Sequence, residues 1–312
     1  MKTIDYVYRF DPKNPSTKPP PPDSEAARGS LEAGNRLFAK WMDSCRTRSL
    51  TQGDEPAYVV QCNGLEVGMP RDQGEVPKQT PFAVVLGCSD ARVPTEMLFG
   101  QGFNDLFVVR VAGNVLDAAC IGSIDYAVET MNQSVRVVVV LGHSGCGAVT
   151  AAVDAYLRPM KYWSKSTSSA LRSIQQKLFV AVREAANGLE EAWGPEARHA
   201  DNYRDALIET AVCINAAQSA FSLRGEIEMT GRWEIDVVFG VYSLSNHLVC
   251  MPSNPYGPPD GENVRLAPAP TNPREFRSLA LQMAEILGRK QARGLPGTSA
   301  PPPAEDGGPS PP

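Results

Sequence analysis

A chain of 312 residues with a 42% hydrophobic fraction is long enough for one large domain or two small ones and can bury an ample core. Its formal net charge of −5 argues against a nucleic-acid partner, which usually demands a basic face. No apolar run approaches the roughly 20 residues that span a bilayer, the opening residues lack a secretory apolar core, and seven cysteines do not read as a disulfide framework, so a cytoplasmic protein with reduced thiols and no membrane partner is expected.

In chain order, residues 1–23 read as a Pro-rich extension, because the run Pro19-Pro20-Pro21-Pro22 favours extended polyproline structure. The main domain is expected over residues 24–250. Residues 82–86 form a short apolar run, 106–111 another, 135–141 the clearest and 236–242 a fourth, followed by a turn at Ser245-Asn246 and a short return strand. Near-continuous apolar strands imply burial on both faces, as in a parallel sheet covered by helices. Helical patterns fall at 117–131, 147–157, 171–189 and 203–223, and Leu171, Ile174, Leu178, Val182, Ala185 and Leu189 make one core-facing stripe. Residues 251–294 form a C-terminal extension with a helix near 273–291, opened by Pro273 at its first position. Its apolar residues Phe276, Leu279, Ala280, Met283, Ile286 and Leu287 recur at helical spacing, so it should dock. Residues 295–312, rich in Pro, Gly, Ser and Ala, are expected to be a disordered tail. The fold class is α/β, with a mostly parallel central sheet flanked by helices.

Ligands of open parallel sheets bind beyond the carboxyl ends of the strands, where strand order reverses. The first strand runs into Gly87-Cys88-Ser89-Asp90-Ala91-Arg92 and the third into Gly142-His143-Ser144-Gly145-Cys146-Gly147. Both sites offer donors that zinc accepts, and a catalytic zinc site leaves one position open for water. His143 and Cys146 can converge from a single turn, for which Gly145 and Gly147 permit a tight backbone. Cys146 also falls near a helix N-terminus, which favours a thiolate. Each motif alone is weak, since a lone Cys is more often a small buried hydrophobe and an Asp–Arg pair a salt bridge. Their joint occurrence at two strand ends is what points to a metal.

Cys88-Ser89-Asp90-Ala91-Arg92-Val93-Pro94 and His143-Ser144-Gly145-Cys146-Gly147-Ala148-Val149 resemble the two signature motifs of β-class carbonic anhydrases. Between them, Arg110-Val111-Ala112-Gly113-Asn114 and Gly122-Ser123-Ile124-Asp125-Tyr126-Ala127 resemble further family segments, and upstream Gly34-Asn35-Arg36-Leu37-Phe38 resembles the stretch that opens its N-terminal helical arm. The resemblance covers roughly residues 25–155 and returns more faintly at 237–248. It implies an α/β fold, a homodimer or higher homo-oligomer with the site at the subunit interface, and reversible hydration of CO2 to bicarbonate by a zinc-bound hydroxide. By motif, Cys88, His143 and Cys146 would bind Zn2+, and Asp90 and Arg92 would form a dyad beside it. Gln79 would donate a hydrogen bond to substrate, while Phe107 and Tyr126 would wall an apolar CO2 pocket across the dimer.

This chain departs from some bacterial members at Val85, where they place a Trp belonging to an inhibitory bicarbonate site; Arg110 and Tyr242 resemble the other members of that site. His199 reads as solvated surface and His247 as a residue after a hairpin turn. Hydrolysis of COS or CS2 on the same zinc site, or a zinc-binding scaffold role, are the alternatives that the motifs leave open. No Gly-x-Gly-x-x-Gly turn follows any expected strand, which argues against a nucleotide-binding domain.

Overall fold

The computed structural model describes residues 5–11, 19–48, 57–62, 76–163, 168–250 and 266–292. The expected tail at 295–312 lies outside the described residues, as do 12–18 of the Pro-rich extension. The first half of the chain runs β1 (Asp5–Arg9), α1 (Ser24–Arg48), β2 (Ala57–Gln61), β3 (Ala83–Gly87), α2 (Thr95–Phe99), β4 (Leu106–Arg110), α3 (Ala118–Thr130) and β5 (Val137–His143). The second half runs α4 (Gly147–Leu157), α5 (Pro159–Tyr162), α6 (Ser169–Trp193), α7 (Tyr203–Met229), β6 (Asp236–Tyr242), β7 (Val249–Cys250), β8 (Ala267–Pro268) and α8 (Pro273–Ala292).

The main sheet has the order β4-β3-β5-β6-β7, with β8 also on β6. β4, β3, β5 and β6 are parallel, and β7 and β8 are antiparallel to β6. Successive side chains of a strand point to opposite faces, and the apolar runs divide accordingly. Val84, Leu86, Val138, Val140, Val237 and Phe239 join one core with α3 and α7, whereas Ala83, Val85, Val137, Val139, Leu141 and Val238 join another with α1 and α2. Burial on both faces explains why β3 and β5 read as unbroken apolar runs.

The helices start where capping chemistry permits. Asp117 accepts from the Cys120 N–H at 2.9 Å before α3, and Ser168 Oγ accepts from the Leu171 N–H at 3.2 Å before α6. Leu171, expected in the core stripe, is 54% exposed because it lies in the first turn of α6; Leu178, Val182, Ala185 and Leu189 are buried. α7 runs six residues past its expected end at Leu223, and the Arg224–Glu228 ion pair at 2.7 Å laces the added turn. The expectation that no apolar run is long enough for a bilayer needs correction, since α7 passes by length and composition. Its most apolar stretch is 78% buried inside the fold, which is the environment of a core helix.

Described segments toward each end of the chain also pack. α8 crosses α6 where Gly188 meets Ala280, and Trp193 Nε1 donates to the Ala284 carbonyl at 2.8 Å. β1 and β2 form a separate parallel pair that no periodicity announced, with Tyr6 and Tyr58 stacked at 5.3 Å and Trp41 of α1 beside them. α1 lies close on α2: a Cβ on Gly34 would stand 1.7 Å from the Phe99 carbonyl oxygen, so only glycine fits that crossing. Its neighbour Asn35, fully buried, donates to the carbonyls of Leu98 and His247 and accepts from the Val249 N–H.

Candidate metal centre

The chain leaves β3 toward β4 on one side, while β5 lies on the other. The ends of β3 and β5 therefore flank the point where strand order reverses, as the strand-end motifs require. Cys88 follows β3, and its loop is pinned by Arg110, whose Nε donates to the Cys88 carbonyl at 3.0 Å and whose second terminal nitrogen donates to the Asp90 carbonyl at 2.6 Å. His143 is the last residue of β5, and Cys146 occupies the cap position of α4. The intervening turn needs Gly145 at φ +61°, and three bonds hold it. Ser144 N–H donates to the Tyr242 carbonyl at 2.9 Å, Leu244 N–H donates to Ser144 Oγ at 3.0 Å, and Gly145 N–H donates to Glu209 Oε1 at 2.8 Å.

Cys88 Sγ, Cys146 Sγ and the His143 ring are buried, with their donor atoms within 4.8 Å of one another. The sulfurs stand 3.9 Å apart. Tetrahedral zinc with Zn–S bonds of about 2.3 Å would hold two sulfurs about 3.8 Å apart, so the spacing fits. His143 Nδ1 lies 3.0 Å from the Ser144 carbonyl, to which it can donate. That leaves Nε2 buried with no hydrogen-bond partner. A buried imidazole nitrogen without a partner is costly unless it binds something, and a ligating His ordinarily donates its other N–H in this way.

The two thiols lie at hydrogen-bond distance, so that the S–H of one can donate to the sulfur of the other. Cys88 is lowered to about 4, chiefly by its hydrogen bond with Cys146 and further by His143 and the Gly113 N–H, against the opposing effect of burial. Cys146 is pushed far above the usual thiol range by the same contact and by burial. A divalent cation would take the place of that proton and hold both sulfurs as thiolates.

Asp90 sits beside this cluster, with Oδ2 3.7 Å from His143 Nε2. Arg92 grips both of its oxygens, Nε to Oδ1 at 3.0 Å and a terminal nitrogen to Oδ2 at 2.7 Å, and the Arg92 backbone N–H adds a bond to Oδ1 at 2.9 Å. The guanidinium and these bonds hold the Asp90 carboxyl well below the usual carboxylate range. Asp90 is 17% exposed and Arg92 59%, so the dyad faces solvent on one side and the cluster on the other.

The other expected site residues lie apart from this cluster within the chain. Gln79 is exposed between Lys78 and Thr80, both bonded to Asn104, at the end of the sheet opposite Cys88. Phe107 is the second residue of β4 and pairs with Val84, and its ring centroid lies 6.5 Å from that of Tyr126, which is 52% exposed. Val85 is buried, Arg110 is engaged with the two loop carbonyls, and the Tyr242 hydroxyl meets His247 Nδ1 at 3.0 Å. His199 is exposed and paired with Glu196. Glu209 and Asn215 of α7 were not legible as site residues, because nothing local to them marks a turn that is distant in sequence.

Two cysteine sulfurs and an imidazole at the switch point of a parallel sheet, with a carboxylate–guanidinium dyad beside them, make a donor set that could hold a metal ion. The family model described as carbonic anhydrase matches residues 83–238, half of the chain, and the chain belongs to the β-class carbonic anhydrase family. Carbonic anhydrase 2 of Mycobacterium tuberculosis is 56% identical over 108 residues, 35% of this chain and 51% of that protein. A carbonic anhydrase of Mycolicibacterium smegmatis is 51% identical over 88 residues, 28% of this chain and 42% of that one. The chain thus spans about half the length of the curated relatives it matches. Among solved structures, the β-carbonic anhydrase CafA of Aspergillus fumigatus aligns with a TM-score of 0.45 at 21% identity, covering 65% of this chain and 82% of that one.

Proposed function

We propose that the protein is a carbonic anhydrase that interconverts CO2 and bicarbonate at a zinc held by Cys88, His143 and Cys146. The single observation that carries this reading is the buried His143 Nε2 without a partner, aimed among two sulfurs at tetrahedral spacing. Zinc, when bound, would supply a Lewis acid that lowers the pKa of water toward neutrality. The chain's own residues do the rest. Ser144 accepts from Nδ1 and so fixes the His143 ring and presents Nε2. Asp90, kept ionised by Arg92, offers lone pairs on Oδ1 and Oδ2 beside the donor cluster, where it can accept a hydrogen bond from the attacking water and orient it. With Arg92 and its backbone N–H engaging both oxygens, Asp90 acts as a fixed acceptor and does not store the proton.

The substrate pocket is completed by a second copy of the chain. Gln79, Phe107 and Tyr126 lie apart from the cluster of their own chain, and Tyr126 is half exposed beside the edge strand β4. In a homodimer or higher homo-oligomer these residues would furnish the donor and the apolar walls of the partner copy's site, a suitable environment for an uncharged substrate. Stopped-flow CO2 hydration on zinc-replete protein, with zinc counted in the same sample and mass measured by sedimentation, is the test. Full zinc occupancy without CO2 hydration would overturn the assignment.

A further inference from the structure

Side chains of α7 reach both halves of the metal centre. Glu209 holds Gly145 beside Cys146, as described above. Asn215, 5% exposed, donates from Nδ2 to the Gly113 carbonyl at 2.8 Å, and Ser219 Oγ lies 3.4 Å from the Asn114 carbonyl. The turn they hold is strained. Gly113 stands at φ +68° and the buried, non-glycine Asn114 at φ +43°. Consecutive left-handed residues persist only where their surroundings over-determine them. Here the Gly113 backbone is boxed in as well, since an added Cβ would lie 3.1 Å from Ala148 of α4 and 3.4 Å from Leu178 of α6. In this geometry the Gly113 N–H donates to Cys88 Sγ at 3.3 Å.

We propose that Asn215 is a positioning residue for the metal centre: by anchoring the Gly113 carbonyl it holds the N–H of that same residue on Cys88 Sγ, and so sets how strongly this sulfur donates to the metal. The inference rests on the reading that Cys88, His143 and Cys146 bind zinc. An N–H bond draws electron density from a thiolate, so the cation it ligates is left more electron-poor and a better Lewis acid. Asn suits the position because a neutral amide can donate to a carbonyl, whereas Ala leaves that carbonyl unpaired and frees the turn to relax. The Gly113 N–H then drifts from the sulfur.

The experiment replaces zinc by cobalt(II) in wild type, Asn215→Ala and Ser219→Ala. It records the thiolate-to-cobalt charge-transfer absorption and the cobalt dissociation constant by chelator competition. Asn215→Ala is expected to keep one cobalt per chain and move the band to longer wavelength, because a sulfur freed of the N–H donates more strongly; cobalt binding nevertheless weakens about 10-fold, the scale of an outer-shell loss, because the relaxed turn no longer holds Cys88 in place. Ser219→Ala, which touches the next carbonyl, should leave the band in place. An unmoved band and affinity in Asn215→Ala would overturn the proposal, as would an equal shift in Ser219→Ala, which would mean general loosening of the turn. Should Asn215→Ala not fold, Asn215→Ser, too short to reach Gly113, is read by the same criteria. Wild type that takes up no cobalt would instead overturn the metal reading on which the inference depends.

Discussion

Replacing Asn35 by Ala isolates one buried polar group whose partners are all known. Its Nδ2 donates to Leu98 O at 3.1 Å and His247 O at 3.0 Å, and its Oδ1 accepts from Val249 N at 2.7 Å. The side chain is 0% exposed, so water does not take over these roles without local opening. Three net hydrogen bonds at about 1 kcal/mol each, with buried partners left unpaired, give a loss of about 3–4 kcal/mol. At about 2–4 °C per kcal/mol for a fold of 150–250 ordered residues, the melting temperature should fall by about 6–16 °C. Urea and thermal unfolding of metal-loaded protein measure this. Asn35→Leu keeps the volume and should lose nearly as much, which separates unpaired polar groups from a cavity. Metal stoichiometry in the folded variants should stay at the wild-type value, because no bond of Asn35 reaches the donor cluster. A loss under about 1 kcal/mol in both variants would refute the accounting and mean that the strand and helix ends find other partners.

Cys88→Ala should lose zinc, or hold it far more weakly, and melt earlier, because ligand binding and folding are coupled; undiminished zinc by elemental analysis would remove Cys88 from the site. Asp90→Asn should keep zinc and fold yet lose on the order of 10–100-fold in CO2 hydration, and full activity in a zinc-replete sample would dismiss the acceptor role. Glu209→Gln should retain metal affinity by keeping an acceptor for the Gly145 N–H, whereas Glu209→Ala should weaken it about 10-fold; chelator competition distinguishes them, and equal affinities would count against Glu209. Gly34→Ala forces a methyl group to within 1.7 Å of a backbone oxygen unless the helices part. Urea unfolding should register a loss of about 3 kcal/mol or more, and a neutral result would mean that α1 slides freely over α2.

Much of this site was readable because its chemistry lies where local sequence meets a strand end. The runs before Cys88 and His143 are apolar on both faces, so they could only be interior strands, and the residues after them had to emerge at the sheet's carboxyl edge. The Gly34-Asn35 pair was read by resemblance alone; its physical reason, a helix crossing too close for a Cβ and a triple anchor, needs partners 63 to 214 residues away. The same holds for Glu209 and Asn215, ordinary-looking polar residues on an apolar helix whose partners lie 64 and 102 residues distant. β1 and β2 escaped notice because a parallel pair brings together segments that share no local turn. Leu171 was misjudged because periodicity gives the direction of a side chain but not whether the helix at that point still has a neighbour to face.

The middle of α7, from Ala211 to Ala217, is buried all round, and this governs how the molecule opens. An amphipathic surface helix can detach and rejoin while the remainder persists. A helix buried against β5, β6, α6 and α8 cannot be released without dismantling both layers around it. Its central amides, from about Ala211 to Leu223, should therefore exchange with solvent only through the slowest, whole-molecule opening, whereas the ends of α1 and α8 exchange through local fraying. Because Glu209 and Asn215 project from that same helix, the two turns bearing Cys146 and Gly113 are mounted on the last element to let go. Substitutions that loosen α7 should therefore lower global stability and metal affinity together.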